Sequence, residues 1–214
     1  MTVRYKIEDI SEDSKRIWKQ VVAMAVDVMR AEHAVREFLT ALGVETDAAG
    51  MEKTPARVAE MYAYLFDGLG RDAAEAFGEP LEAGSSGLVA VQSIPFFSMC
   101  EHHLVPFFGT VDIVYQPKDG RIAGFTHFVE SVAIAAHRPQ LQERLTHDIA
   151  GAVQRGLGAT GVLAVCHARQ LCMTLREGGT YGTETTTSET TGAFATNPQL
   201  ARQAWTLLVH KEEC

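Results

Sequence analysis

The sequence has few cysteines and no excess of positive charge. Its four cysteines, Cys100, Cys166, Cys172 and Cys214, are too few and too widely spaced for a disulfide scaffold. Such cysteines are typical of free thiols in a reducing compartment, where they are available as metal ligands. The formal net charge of −8 gives the chain no electrostatic attraction to nucleic acid or to an acidic membrane surface. We therefore expect no nucleic-acid partner.

Long apolar runs are also missing. The first residues, MTVRYKIEDISEDSKR, are polar and contain no apolar signal segment. No stretch is long and apolar enough to predict a membrane span. Hydrophobic residues make up 46 % of the 214 residues and charged residues 21 %, so an ordinary core can form. These features predict a cytoplasmic protein that does not associate with membranes.

The first 85 residues favour helices. Apolar residues recur at helical spacing between residues 15 and 42, and Gly43 is suited to the position after a helix end. In the next helical stretch, Thr54 is predicted as the N-cap, with Pro55 at the first helical position and Gly68 at the end. Residues 1–85 are therefore predicted to form an N-terminal helical region.

The second part of the chain alternates between strands and helices. Residues 88–95 and 107–117 are predicted as strands, and residues 127–137 as a short helix. A longer helix is predicted from Pro139 to Gly158, followed by a strand over residues 161–177, a polar tail and a last helix over 198–209. This order predicts that residues 86–214 form an α+β domain with an antiparallel sheet and helices on one face.

The segment SMCEHHLVPF carries the first candidate for chemistry. Cys100 and His103 have the spacing of a ligand pair on a turn, and zinc accepts both sulfur and imidazole nitrogen. The candidates for a third ligand are Cys166, Cys172 or another histidine. On the predicted strand over residues 161–177, Cys166 and Cys172 lie on the same face, a polar and thiol-bearing face that is the better candidate for the wall of a site. Both could equally be small buried apolar residues, and strand periodicity does not choose between these alternatives.

Neighbouring polar residues suggest further roles. His102 would lie beside a metal held by Cys100 and His103, where it could carry a proton, or it could be a solvated histidine. Glu101 is better suited to a structural contact than to acting as a base. Gln142 and Glu143 place an amide beside a carboxylate, which suits the edge of a purine or pterin. A solvated helix face is the alternative for that pair.

These motifs together resemble the GTP cyclohydrolase I family. The resemblance rests on SMCEHHLVPFFG, QERLT, LCM with Arg176, TPARVAEMY and TTTSETTGAF, and it runs from about residue 20 to the C-terminus. It implies the tunnelling fold (T-fold), in which five subunits form a barrel. It also implies a homodecamer of two stacked rings, with active sites between subunits.

The resemblance implies an activity and a set of site residues. Members of the family use zinc to hydrate C8 of the guanine in GTP, release formate and rebuild the ring into dihydroneopterin triphosphate. The motif assigns Cys100, His103 and Cys172 to Zn²⁺ and His102 to proton transfer. It assigns Gln142 and Glu143 to the edge of the guanine.

The chain departs from the family pattern at catalytic and phosphate-binding positions. Gln170 stands where the family has a second catalytic histidine, and an amide cannot shuttle protons. His167 is not expected to replace it, because an offset of three residues points to the opposite strand face. Two lysines and an arginine of the family pattern are Glu60, His127 and Glu130 here.

Few basic groups remain for a triphosphate. Arg57 and Arg176 are kept, and Thr126 and His127 occupy the segment that would face the phosphates. Carboxylates at Glu60 and Glu130 would repel a group that carries up to roughly four negative charges. A changed small-molecule substrate explains this pattern better than random drift within a well-kept scaffold.

Three functions follow as hypotheses. The preferred one is a zinc-dependent hydrolase that opens the imidazole ring of a guanine-type purine with few or no phosphates and can stop before a pterin forms. The second is a genuine GTP cyclohydrolase I that makes dihydroneopterin triphosphate. The third is a non-catalytic T-fold protein that binds a pterin or purine.

Overall fold

The computed structural model describes residues 26–84, 87–175 and 182–209. The chain forms two compact units, Met1–Asp67 and Gly68–Cys214. The predicted division between residues 85 and 86 stays a prediction. Among the described residues, none of the helices combines the length and the apolar character that crossing a membrane requires.

The first unit contains two helices, α1 (Val28–Ala41) and α2 (Thr54–Leu65). The Asp27 side chain caps α1 by accepting a hydrogen bond from the backbone N–H of Arg30. Lys53, and not Thr54 as predicted, is the N-cap of α2. The Thr54 hydroxyl lies 3.7 Å from the sulfur of Met51 instead of capping the helix. Residues 15–25 of the predicted first helix lie outside the described residues.

The second unit is built on a five-stranded sheet. After a 3₁₀ helix (Ala73–Phe77) come β1 (Leu81–Glu82), β2 (Val89–Cys100), β3 (Pro106–Gln116), β4 (Arg121–Ile122), β5 (Pro139–Gln140), β6 (Gly161–Gln170) and β7 (Thr185–Gly192). The sheet order is β5-β2-β3-β6-β7, and among the strands of the described residues only the short β5–β2 pairing is parallel. β1 and β4 form a separate two-stranded sheet.

Helices cover the sheet and create its core. The helices are α3 (Phe125–Ala136), α4 (Gln142–Leu157), the four-residue α5 (Leu171–Thr174) and α6 (Ala193–Thr196), and α7 (Pro198–Val209). α3, α4 and the 3₁₀ helix bury one face against side chains such as Val111, Ile113 and Tyr115. On the other face, Val114 and Leu163 pack with residues of α6 and α7. The predicted α+β fold with an antiparallel sheet is confirmed, but helices lie on both faces of the sheet and not on one face as predicted, because the second face also carries apolar side chains that α6 and α7 cover.

Three local predictions were wrong in detail. Pro139 begins β5, and α4 starts at Gln142, because Pro139 and Gln140 pair with the end of β2. The strand predicted over residues 161–177 ends at Gln170 and continues as α5. The threonine-rich segment predicted as a tail is largely β7, which pairs with β6. Its β-branched residues favour a strand although they are polar.

Candidate metal and purine site

The predicted ligand pair lies where β2 leaves the sheet. The backbone N–H groups of His103 and Leu104 both donate to the carbonyl of Cys100, at 3.3 and 2.8 Å. Leu104 adopts a left-handed backbone conformation with φ of 49°. The resulting tight turn keeps Cys100 buried, at 6 % exposure, and leaves His103 exposed. A buried sulfur and an exposed imidazole therefore meet at the edge of the sheet.

Cys172 completes a three-residue cluster. The candidate ligand atoms of Cys100, His103 and Cys172 all lie within 4.8 Å of one another. The Cys100 Sγ and His103 Nδ1 atoms are 3.8 Å apart. β3 lies between β2 and β6, and the turn into α5 brings Cys172 to the end of β2. The assumption that Cys172 continues a strand face was wrong, because β6 has already ended.

Cys166 is separated from this cluster by its burial. It lies inside β6 with no exposed surface and belongs to the main core. Burial raises the pKa of its thiol to about 12, so the thiolate that a metal needs is strongly disfavoured. The structure thus distinguishes two cysteines that periodicity left equivalent.

The donor set fits a zinc ion. Two cysteine sulfurs and one imidazole nitrogen are a known ligand set for catalytic zinc, which leaves a fourth position open. The three donors converge without any change of fold, and His103 and Cys172 are at least partly accessible. The residues present therefore suit this metal.

His102 lies next to the cluster. Its side chain is exposed, and its ring centroid is 6.0 Å from that of His103, with the rings in an edge-to-face arrangement. His102 is therefore open to solvent and adjacent to one of the three clustered side chains.

Glu101 anchors the turn to α4. Its two carboxylate oxygens accept hydrogen bonds from Arg144, at 2.7 and 3.1 Å. The hydrogen bond to Arg144 lowers the pKa of Glu101, and the same contact raises the pKa of Arg144. The backbone N–H of Glu101 also donates to the carbonyl of Gln140. Sequence reasoning missed Arg144, although its charge and its place in QERLT were available signals.

We expect Glu101→Gln to weaken zinc binding about tenfold, because residues that orient metal ligands commonly contribute this much. The amide cannot accept the bidentate contact from Arg144, so the turn that carries the ligands becomes looser. Competition with a chromogenic chelator measures the affinity. Asp72→Asn, which removes an exposed ion pair with Arg155, is the control and should leave zinc affinity unchanged. Equal affinities for Glu101→Gln and wild type would contradict an anchoring role.

Gln142 and Glu143 point in different directions. Gln142 is only 4 % exposed, and its Nε2 donates to the backbone carbonyls of Cys166 and Thr185. Glu143 is exposed at the start of α4. Of the predicted amide and carboxylate pair, only Glu143 offers a side chain to solvent in this chain.

Gln170 is linked to Gln142. Gln170 is half-buried at the end of β6, and its Nε2 donates to Gln142 Oε1 at 2.7 Å. It is also the N-cap residue of α5, the helix that carries Cys172. His167 lies on the opposite strand face, near Asp112 and Thr186, as the strand periodicity predicts.

The remaining predicted positions are distributed over both units. In the second unit, Thr126 and Glu130 are exposed on α3, and Nδ1 of His127 donates to the carbonyl of Ala76 at 2.7 Å. Glu130 lies 3.6 Å from Arg71, a partner that sequence reasoning missed. In the first unit, Arg57 and Glu60 are exposed on α2. Arg176 lies outside the described residues.

Comparisons with known proteins place these features in a family. The family model described as GTP cyclohydrolase I matches residues 31–209. The protein named GTP cyclohydrolase 1 from Streptococcus agalactiae serotype Ia is 42 % identical over 165 residues, which cover 77 % of this chain and 88 % of the relative. The protein of the same name from Streptococcus pyogenes serotype M1 is 42 % identical over 171 residues, covering 80 % and 88 %.

A solved structure also shows a likeness. It is the apo archaeosine synthase QueF-Like, with 19 % identity and a TM-score of 0.40, covering 50 % of this chain and 96 % of that one. The sequence matches extend over most of the chain and include the CEHH turn, QERLT and Cys172 within residues 31–209. The chain belongs to the GTP cyclohydrolase I family.

Proposed function

We propose that this protein is a zinc-dependent cyclohydrolase that opens the imidazole ring of a guanine-type purine by attack of water at C8. Its substrate carries few or no phosphates, and the reaction ends before a pterin forms. The observation that carries the proposal is the convergence of Cys100, His103 and Cys172 within 4.8 Å. Membership of a family of cyclohydrolases supports it.

The three clustered residues would hold the zinc ion. When bound, zinc is a Lewis acid that makes water nucleophilic at neutral pH. Ring opening consumes one water: its oxygen bonds to C8, the C8–N9 bond breaks, and N7 and N9 each gain a proton. The product is a formamidopyrimidine, with the formyl group on N7.

His102 is the proposed proton carrier for this step. Its exposed ring beside His103 can take a proton from the attacking water and return it to a ring nitrogen. Gln170 cannot do the same, since a carboxamide does not ionise near neutral pH. One proton carrier is enough for ring opening. The later rearrangement to a pterin would require a further one, which supports an early stop.

Glu143 is the proposed contact for the guanine edge. Guanine presents N1–H and the 2-amino group as neighbouring donors, and a carboxylate can accept both hydrogen bonds. Glu143 is exposed at the first turn of α4. Gln142, the other predicted contact, is buried and donates to the backbone carbonyls of Cys166 and Thr185.

The charges at the phosphate positions support a substrate with few phosphates. Glu60 and Glu130 place carboxylates where the family pattern has basic residues, and Thr126 and His127 add no permanent positive charge. Arg71 offsets Glu130 only in part, because exposed ion pairs of this kind contribute little. Arg57 and Arg176 are the retained basic residues, and together they suit fewer charges than a triphosphate carries.

The assembly and location follow from the same family. We propose a homodecamer of two pentameric rings with sites between subunits, and a cytoplasmic protein. Sedimentation velocity of the zinc-loaded protein measures the assembly, and a single species at the mass of ten chains is the expected result.

The reaction is tested by its products. The zinc-loaded protein is incubated with guanine, guanosine, GMP and GTP, and the products are identified by mass spectrometry. We expect a product heavier than its substrate by one water, without loss of formate, from guanine, guanosine or GMP. Consumption of GTP alone, to a fluorescent neopterin after oxidation, would instead identify a genuine GTP cyclohydrolase I, the alternative that the relatives' names favour. No turnover of any of the four would favour a binding protein.

A further inference from the structure

Two glutamine side chains meet beneath the candidate site. Gln170 Nε2 and Gln142 Oε1 are 2.7 Å apart. A carboxamide has an acceptor end and a donor end of similar shape, so the orientation of each must follow from its hydrogen-bond partners. The surroundings of Gln142 determine which end faces Gln170.

Two backbone carbonyls fix the orientation of Gln142. One end of its amide lies 3.1 Å from the carbonyl oxygen of Cys166 and 2.9 Å from that of Thr185. Carbonyl oxygens only accept hydrogen bonds, so this end must be the NH₂ group, and both of its hydrogens are used. With the side chain only 4 % exposed, no solvent can compensate for a reversed amide.

The orientation of Gln170 follows from that of Gln142. The end of Gln142 that faces Gln170 is an oxygen, and only a donor can approach it at 2.7 Å. Gln170 must therefore donate through Nε2. One N–H of Gln170 and its Oε1 then remain for another partner.

We propose that Gln142 is a positioning residue that locks the Gln170 amide in one orientation, and that Gln170 presents a fixed N–H and C=O pair to the substrate. This inference rests on the proposed function, which supplies the substrate. It assigns the contact with substrate to Gln170 and gives Gln142 a supporting role.

The pair suits the ring-opened purine better than the closed one. In guanosine and GMP, whose N9 carries the ribose, the intact imidazole ring offers only an acceptor nitrogen at N7, whereas opening creates a formamido group with an N–H donor and a C=O acceptor. These two groups complement the C=O and N–H of Gln170. Gln170 is the N-cap residue of the helix that carries Cys172, two residues before that proposed ligand, so it lies close in the chain to the cluster that would activate the attacking water. Such contacts would form as the ring opens and would raise kcat more than they lower KM.

The hydrogen-bonded pair is tested first without substrate. Thermal unfolding is measured for zinc-loaded wild type, Gln142→Met, Gln170→Met and the double variant. Methionine keeps the side-chain length and removes the hydrogen bonds. We expect the double variant to lose less in Tm than the sum of the single losses, because both single variants break the same contact. Additive losses of Tm would contradict the proposal that Gln142 fixes the orientation of the Gln170 amide.

The role in catalysis is tested with guanosine on the same four proteins, with rates expressed per bound zinc. Gln170→Met is expected to lower kcat about tenfold or more, because the loss of even one of its two hydrogen bonds to a desolvated partner has an effect of this size, with KM changed little. Gln142→Met should also lower kcat, and the double variant should be no worse than Gln170→Met. If the reductions in kcat of the two single variants multiply in the double variant, Gln142 acts on the substrate independently of Gln170, and the positioning role is overturned.

The orientation is tested by Gln170→Glu, which keeps the shape of glutamine. A carboxylate has no hydrogen to donate to Gln142 Oε1, so this variant is expected to be as impaired as Gln170→Met. Wild-type kcat for Gln170→Glu would mean that the amide is reversed. If wild type consumes none of guanine, guanosine and GMP, the proposed function fails, while the unfolding measurements still decide whether Gln142 locks Gln170; if only guanine or GMP is consumed, the kinetic test is made with that substrate.

Discussion

Cys172→Ala is expected to lose bound zinc and to lower turnover of the purine substrate by about a thousandfold or more, since the zinc ion that these residues would hold would make the attacking water nucleophilic. The variant leaves only Cys100 and His103 at the cluster, and two ligands do not hold zinc in the way that three do. Metal content of the purified protein and the rate of ring opening are the two measurements.

Cys166→Ala is the matched control. It removes a cysteine only six residues earlier in the chain. The thiol of this cysteine is buried in the core, which raises its pKa to about 12. We expect wild-type zinc content and turnover, with a modest loss of Tm from the small cavity. If Cys166→Ala lost zinc and Cys172→Ala kept it, the proposed ligand set would be wrong.

Restoring positive charge at the three altered positions is expected to change substrate preference. A variant with Glu60→Lys, His127→Lys and Glu130→Arg should raise kcat/KM for GTP relative to guanosine at least tenfold. Replacing carboxylates by basic groups turns repulsion of the phosphates into attraction, and even screened charges at short range contribute this much. Kinetics with both substrates at moderate ionic strength measure the ratio.

The control for this variant adds positive charge elsewhere. Asp47→Lys and Asp119→Lys change side chains that are 97 % and 76 % exposed, and they test whether net charge alone attracts GTP. We expect no comparable shift in preference from them. An equal shift in substrate preference in the variant and its control would contradict the idea that Glu60, His127 and Glu130 determine specificity. The absence of any shift in the variant would contradict it as well.

The sequence predicted most of the second unit because its strands and helices have clear periodicity. Strands near residues 88–95 and 107–117 and the helix over 198–209 are all present. Periodicity could not show that β6 ends at Gln170, because the apolar run over residues 171–173 that follows is equally compatible with a buried strand. The polar strand β7 was not predicted either. It forms because it pairs with β6, and it has no apolar pattern of its own that would indicate a strand.

The candidate site was predictable in its residue types but not in their contacts. Motif spacing suggested Cys100 and His103, whereas the choice of Cys172 over Cys166 from residues alone required knowing which thiol is buried. Gln142 shows the same limit. Its neighbour Glu143 is exposed, but Gln142 turns inward to two backbone carbonyls, and no local pattern signals such partners.

The selectivity of the zinc-loaded wild-type protein tests the central claim most directly. The measurement is kcat/KM for guanosine and GMP against kcat/KM for GTP, with the ring-opened product quantified in each case. A higher value for guanosine or GMP, with a formamidopyrimidine as the product, is the predicted result. A higher value for GTP, with formate released and a pterin formed, would contradict it.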